Sequence, residues 1–139
     1  MPQTFYLGIK GIIVDSNKVL LLKCKDAKQN YYWDLPGGRI EEGETIIQAL
    51  TRELEEELPT ITNITVGNLI GAHKLPHKLS SGHGLMLLMY KINAHLPTIT
   101  LSNEHSEYKW VSKNDLKHIG QEAQISQEYI QIVQHVLLD

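Results

Sequence analysis

Gly37-Gly38-Arg39-Ile40-Glu41-Glu42-Gly43-Glu44, followed after seven residues by Arg52-Glu53-Leu54-Glu55-Glu56-Glu57, is the stretch on which the reading of this chain turns. It holds seven of the eleven glutamates and both arginines of 139 residues, a clustering that ordinary surface charge does not explain. On a helix, at about 100° per residue, Glu53, Glu56 and Glu57 project within roughly 100° of one another, beside an apolar stripe of Ile47, Leu50, Leu54 and Leu58. One flank can bury while the next gathers acids. Like charges three and four residues apart destabilise an isolated helix by a few tenths of a kcal/mol per pair, so a helix that keeps three of them points to a neutralising cation. Carboxylates are hard oxygen ligands, and Mg²⁺ or Mn²⁺ is the cation they suit. Glu55 points about 150° or more away from Glu53 and Glu57, and Glu41 and Glu42 precede the helix; these three read as solvated.

The same residues resemble the signature of the Nudix hydrolases. Gly38, Glu44, Arg52, Glu53, Leu54, Glu56 and Glu57 stand at its spacing, and Trp33-Asp34-Leu35-Pro36-Gly37 is similar to its usual lead-in. The resemblance implies an α/β fold, the α/β/α sandwich with a mixed β-sheet. It also implies Glu56 and Glu57 as metal ligands, Glu53 as a ligand or the general base, and the backbone carbonyl of Gly37 or Gly38 as a further ligand. Arg52 and Glu44 would contact each other and so orient the loop and Glu53. Two positions depart from the pattern: Pro59 stands where glycine is usual and Thr60 where an aliphatic residue is usual. Proline cannot take the left-handed cap conformation and disfavours helix at the residue before it, so the helix should stop near Leu58 by a different exit turn. The acids lie upstream of that change.

A hydrophobic content of 42% over 139 residues, without internal repeat or low-complexity run, fits one core and one domain, which the resemblance makes a single Nudix hydrolase domain over 1–139. A net charge of −3 and a pI near 6.1 offer no general basic surface to nucleic acid or to an anionic membrane. A polyanionic substrate must then be met locally, through metal. The single cysteine, Cys24, cannot form an internal disulfide, and no secretory or 18-residue apolar segment is present, which reads as a cytoplasmic chain with Cys24 as a buried small hydrophobe.

Apolar, β-branched runs at Phe5 to Val14 and Lys18 to Lys25, separated by Asp15-Ser16-Asn17, predict a hairpin. Tyr31 to Leu35 reads as a short strand leading into a Pro36-Gly37-Gly38 turn. Thr45 with Gln48 has the spacing of a capping box, predicting a helix to about Leu58. Further strands are predicted at Ile64 to His73, Leu85 to Asn93 and Tyr108 to Val111. A final helix over Ile125 to Leu138 carries its apolar face at Ile125, Tyr129, Ile132, Val133 and Val136.

A second acidic element, Asn103-Glu104-His105-Ser106-Glu107-Tyr108-Lys109-Trp110, resembles the stretch by which several Nudix enzymes bring a late glutamate to the metal. Glu104 is the first candidate and Glu107 the second, against a charged loop whose Trp110 and Val111 merely pack. The segment Lys74 to Gly84, with two lysines and two histidines, reads as a hairpin connection or as a loop closing over phosphates. Within it Pro76 falls near where ADP-ribose hydrolases of the family carry a proline. Tyr6, Tyr31, Tyr32 and Trp33 offer a base-stacking surface or core. The resemblance implies hydrolysis of a pyrophosphate bond in a nucleotide or nucleotide derivative. A nucleoside triphosphate or dinucleoside polyphosphate comes first and ADP-ribose third; a silent nucleotide-binding or regulatory module is the alternative from another class.

Overall fold

Ser16 and Asn17 both take positive φ, 50° and 58°, the conformation a primed two-residue hairpin turn requires. Through it β1 (Phe5–Asp15) folds back on β2 (Lys18–Lys25), pairing Val14 with Val19 and Asp15 with Lys18. The structure, a computed structural model, describes residues 1–122 and 126–139. Past the turn the two strands diverge and take different partners. β2 pairs antiparallel with β3 (Tyr31–Asp34) and with β7 (Tyr108–Ser112). β1 pairs antiparallel with β4 (Gly37–Arg39) and in parallel with β6 (Gly84–His95), which in turn pairs antiparallel with β5 (Thr62–Lys74). The seven strands form one mixed sheet along the path β3-β2-β1-β6-β5, with β4 joined to β1 and β7 to β2.

Alternation along β1 sends Ile9 and Ile13 to one face and Ile12 to the other, and a separate core forms on each. Helix α1 (Ile46–Glu57) covers the first with Ala49, Leu50 and Leu54, all fully buried. Each such leucine contributes about 1.5–3 kcal/mol over its exposed state. Helices α2 (Lys113–Glu122) and α3 (Gln127–Gln134) cover the second with Leu116, Tyr129, Ile130 and Val133, packed over Ile12 and Met89. The α/β class and the mixed sheet between helices therefore stand.

Local chemistry explains the ends of α1. Thr45 and Gln48 close a reciprocal capping box, Thr45 N donating to Gln48 Oε1 at 2.9 Å and Gln48 N to Thr45 Oγ1 at 3.1 Å. At the other end Leu58 leaves helical geometry at φ −127°, and Ile61 N donates to Leu58 O at 2.9 Å, closing a turn with Pro59 second. That is the turn position a φ near −65° favours. Ile47 corrects the predicted stripe: it is 60% exposed, because α1 buries the flank centred on Leu50, Leu54 and Leu58. Gly37 and Gly38 form strand β4 where a turn was expected, since the edge of β1 supplies backbone partners. Helix α2 was not anticipated; among its residues 113–119 it buries Leu116 and Ile119, too short a pattern to read as a periodic face. α3 starts at Gln127 behind the cap Ser126, and Ile125 lies outside the described residues. No helix among the described residues is long and apolar enough to cross a membrane.

Candidate active site

Arg52 organises the loop before α1. Its Nε and Nη2 grip both oxygens of Glu44, at 2.7 and 2.9 Å, while Nη1 donates to Glu53 Oε1 at 2.9 Å and Nη2 to the carbonyl of Arg39 at 3.3 Å. The planar guanidinium is suited to such a two-pronged pair. Glu44 also accepts from Glu41 N at 2.9 Å, and the Arg52 and Glu41 bonds lower its carboxyl to about 2. The Glu44 pair raises the Arg52 guanidinium, which stays charged throughout.

Glu53 lies against the backbone of Gly38. A Cβ there would stand 2.4 Å from the Glu53 carboxyl carbon, so only glycine admits this approach. Partial burial raises the Glu53 carboxyl above the usual range, with Glu57 and Glu56 adding to the rise and Arg52 opposing it. Gly37 is constrained separately: its φ is +139°, and a Cβ would meet Ile9 O at 2.1 Å. Its N–H donates to Glu57 Oε1 at 2.7 Å. Glu57 is 3% exposed, and its other oxygen accepts from His105 Nε2 at 2.7 Å. His105 Nδ1 lies 3.0 Å from Lys23 O and 3.9 Å from Cys24 Sγ. With acceptors facing both nitrogens the ring suits an imidazolium, and Cys24 first, then Glu57, raise it to about 10.

These groups surround a cavity of about 350 Å³ bordered by Gly37, Gly38, Glu53, Glu57, Glu104 and His105. The structure thus brings Glu104 beside the α1 acids. Glu56 is exposed, does not line that cavity, and sits with Oε1 3.6 Å from Arg52 Nη1. Glu107 pairs instead with Lys23 at 3.1 Å. Cys24 lines the cavity half-buried, correcting its expected place in the core, because it falls where β2 runs out toward Tyr32 and His105. Glu41, Glu42 and Glu55 are exposed.

Lys10 borders this cavity and also a second cleft of about 440 Å³ on the α3 side of the sheet. Its Nζ lies 3.1 Å from Asp34 Oδ2 and 3.4 Å from Leu35 O. Asp34 Oδ1 accepts from Leu35 N at 2.8 Å and from the Tyr129 hydroxyl. Burial works against the Lys10 charge but Asp34 outweighs it, so the ammonium is held more firmly than usual. Burial, then Asp34, raises the Tyr129 phenol, which stays neutral. The cleft wall includes Trp33, Tyr32, Leu75, Pro76 and Leu87, so part of the Lys74 to Gly84 segment overhangs it. Of the four aromatics weighed for stacking, Tyr32 and Trp33 reach the cleft. Tyr31 lies outside under Lys23 and Lys25, and Tyr6 between Arg39 and His83.

Among the described residues no group of three or more His, Cys, Asp or Glu side chains is arranged to hold a metal ion: Glu53 is turned to Arg52, and Glu57 to Gly37 and His105. The donor set nevertheless fits a hard divalent cation. Three carboxylates border one cavity with Gly37 and Gly38, and the charges of Glu57 and Glu56, which add to the rise that burial gives Glu53, are what such a cation relieves.

Lys10, Asp34 and Tyr129 were not among the sequence candidates, and His105, within the second acidic element, had no assigned role. A lysine inside Gly8-Ile9-Lys10-Gly11-Ile12-Ile13 was a signal for the first, since a charge in an apolar strand is buried only with a partner. The partner is 24 residues on, and Tyr129 a further 95, beyond any local pattern.

The family model described as the NUDIX domain matches residues 6–135. Over 82 residues, 59% of the chain, it is 34% identical to an ADP-ribose pyrophosphatase of Methanocaldococcus jannaschii, and the match spans about half, 47%, of that relative's length. Over 113 residues, 79% of each chain, it is 29% identical to an 8-oxo-dGTP diphosphatase of Buchnera aphidicola subsp. Schizaphis graminum. The solution structure of the E. coli ORF135 protein superposes with a TM-score of 0.74 at 25% identity, covering 95% of this chain and 88% of that one.

Proposed function

The chain belongs to the Nudix hydrolase family, and on that premise we propose that it hydrolyses a pyrophosphate bond in a nucleoside diphosphate linked to another moiety, a nucleoside triphosphate or dinucleoside polyphosphate first. The observation that carries the reading is the convergence of Glu53, Glu57 and Glu104 on one cavity beside Gly37 and Gly38, next to a cleft with an apolar and aromatic wall. Residues 1–139 then act as one domain, in the cytoplasm.

Glu53, Glu56, Glu57 and Glu104, with the Gly37 or Gly38 carbonyl, would hold the divalent cation, Mg²⁺ foremost and Mn²⁺ next. When bound, it supplies charge neutralisation at the phosphoryl oxygens and a lowered pKa for water. Glu53 is the general base: its carboxyl, raised above the usual range by burial and by neighbouring acids, is better matched to taking a proton near neutral pH than an ordinary glutamate. Arg52, anchored on Glu44, fixes the Glu53 carboxylate in place. The Gly37 N–H and His105 orient Glu57, as partners outside a ligand set commonly do.

A second reading, ADP-ribose, is favoured by the name of the M. jannaschii relative and by Pro76 in the cleft wall. The test is a panel of nucleoside triphosphates including 8-oxo-dGTP, dinucleoside polyphosphates and ADP-ribose, with Mg²⁺, Mn²⁺ or EDTA, products being resolved by chromatography. Metal-dependent release of a nucleotide from one class is expected. No turnover across the panel with nucleotide binding retained would replace the hydrolase by a silent binding module.

A further inference from the structure

Lys10 borders both cavities, and the proposed chemistry gives it no task. Its position follows from register: on β1 it is paired directly with Gly37, whose N–H holds Glu57, while Gly8, on the same face of the strand, lies in the cleft wall. Gly37, the residue paired with Lys10, has no side chain to stand between the ammonium and the acid cavity. Lys10 therefore stands at the passage between cleft and acids, and it borders both.

The ammonium is also only partly satisfied. Of its three donors, one faces Asp34 Oδ2 and one Leu35 O, and no third partner is present among the described residues. Asp34 is itself fixed by Leu35 N and the Tyr129 hydroxyl, so the cation rests on a rigid base. The Lys10 side chain keeps 12% exposure, so its ammonium is largely withdrawn from water yet open to a group entering the passage, a position whose desolvation a single ion pair does not fully offset. An anion entering the passage can accept from the third N–H of the ammonium.

We propose that Lys10 is a substrate-binding residue that donates to the phosphoryl group attached directly to the nucleoside, the one retained in a nucleoside monophosphate product. The inference rests on the nucleotide reading above. With the nucleoside in the cleft and the scissile bond at the acids, the phosphoryl between them passes Lys10. Charge on the ammonium then selects 5′-phosphorylated ligands over bare nucleosides.

Two ligand pairs test this without metal or turnover: AMP with adenosine, and dGMP with deoxyguanosine, titrated calorimetrically into wild type, Lys10→Met, and the double variant Lys10→Met/Asp34→Asn. The double variant removes the half-buried carboxylate that Lys10→Met alone would leave without its cation, so a folded protein is available for comparison; thermal melts verify it. Wild type should bind the monophosphate of at least one pair more tightly than its nucleoside. The variants should lose about tenfold or more on the monophosphate, the worth of one charged hydrogen bond, and nothing on the nucleoside. Equal losses on both ligands, or no loss on either, would overturn the assignment to the phosphoryl group. Absence of monophosphate and nucleoside binding in wild type would overturn the nucleotide reading itself, and the Lys10 assignment with it.

Discussion

Each α1 acid differs from its neighbours in what surrounds it, and so single substitutions separate their roles. Glu57 is buried, with both oxygens engaged by Gly37 and His105, whereas Glu55, two residues earlier, faces solvent. Glu57→Gln should weaken divalent-metal affinity by about 10- to 100-fold, the scale on which perturbed ligand sets respond, while Glu55→Gln leaves it unchanged. Titration with Mn²⁺ followed by its paramagnetic signal reads both; equal losses would mean that the helical phase does not set the site. Glu44 makes a separate prediction in pH. Its carboxyl lies at about 2 in the folded chain against an ordinary value of 4.5, so its contribution to stability is complete above 4.5 and is lost as pH falls through about 2. Urea midpoints measured between pH 5 and pH 2 without metal should therefore fall more steeply in wild type than in Glu44→Gln. Parallel curves would show that the Arg52 grip does not persist in solution.

Elements with local signals and the strands with long apolar runs matched the sequence, whereas β4 and α2 carried no such signal. The capping box at Thr45, the Ser16-Asn17 turn and the stop at Leu58 are each decided within a few residues. β4 has three residues, two of them glycine, and becomes a strand only because β1 offers an edge; no propensity of Gly37-Gly38-Arg39 announces it. The site divides along the same line. The Gly38, Glu44, Arg52, Glu53, Glu56, Glu57 spacing was readable because one loop and one helix carry it. The His105 contact with Glu57 crosses 48 residues, and the Tyr129 contact with Asp34 crosses 95. Pro59 illustrates how a departure from a pattern acquires a physical reason once its turn is known. In the second position of the Leu58 to Ile61 turn it restricts the unfolded chain at no cost to the folded one. Pro59→Gly should thus lower unfolding free energy by about 0.4–1 kcal/mol and leave kcat unchanged. A stabilised variant would mean that Pro59 strains the exit from α1.

Across the whole molecule, one sheet carries two cores, and the two faces serve different halves of the proposed reaction. The acids hang from α1 on the Leu50 and Leu54 side, and the cleft is walled by Tyr129 of α3 on the side of Ile130 and Val133. Both halves meet at β1, where Lys10 borders both cavities. Truncation in either core should cost a similar amount, about 2–5 kcal/mol for Leu54→Ala or Ile130→Ala, a large share of the 5–15 kcal/mol typical of a domain. Their kinetic effects should separate. Leu54→Ala loosens the helix that aims Glu53 and Glu57, so kcat should fall and the metal requirement rise with KM little changed. Ile130→Ala loosens the support of Tyr129, and through it Asp34 and Lys10, so KM should rise with kcat nearly intact. Steady-state kinetics at a temperature where urea titration shows both variants folded would decide this. If the two lost kcat and KM in the same proportion, the sheet would be transmitting disorder from one face to the other, and chemistry and recognition would not be housed separately.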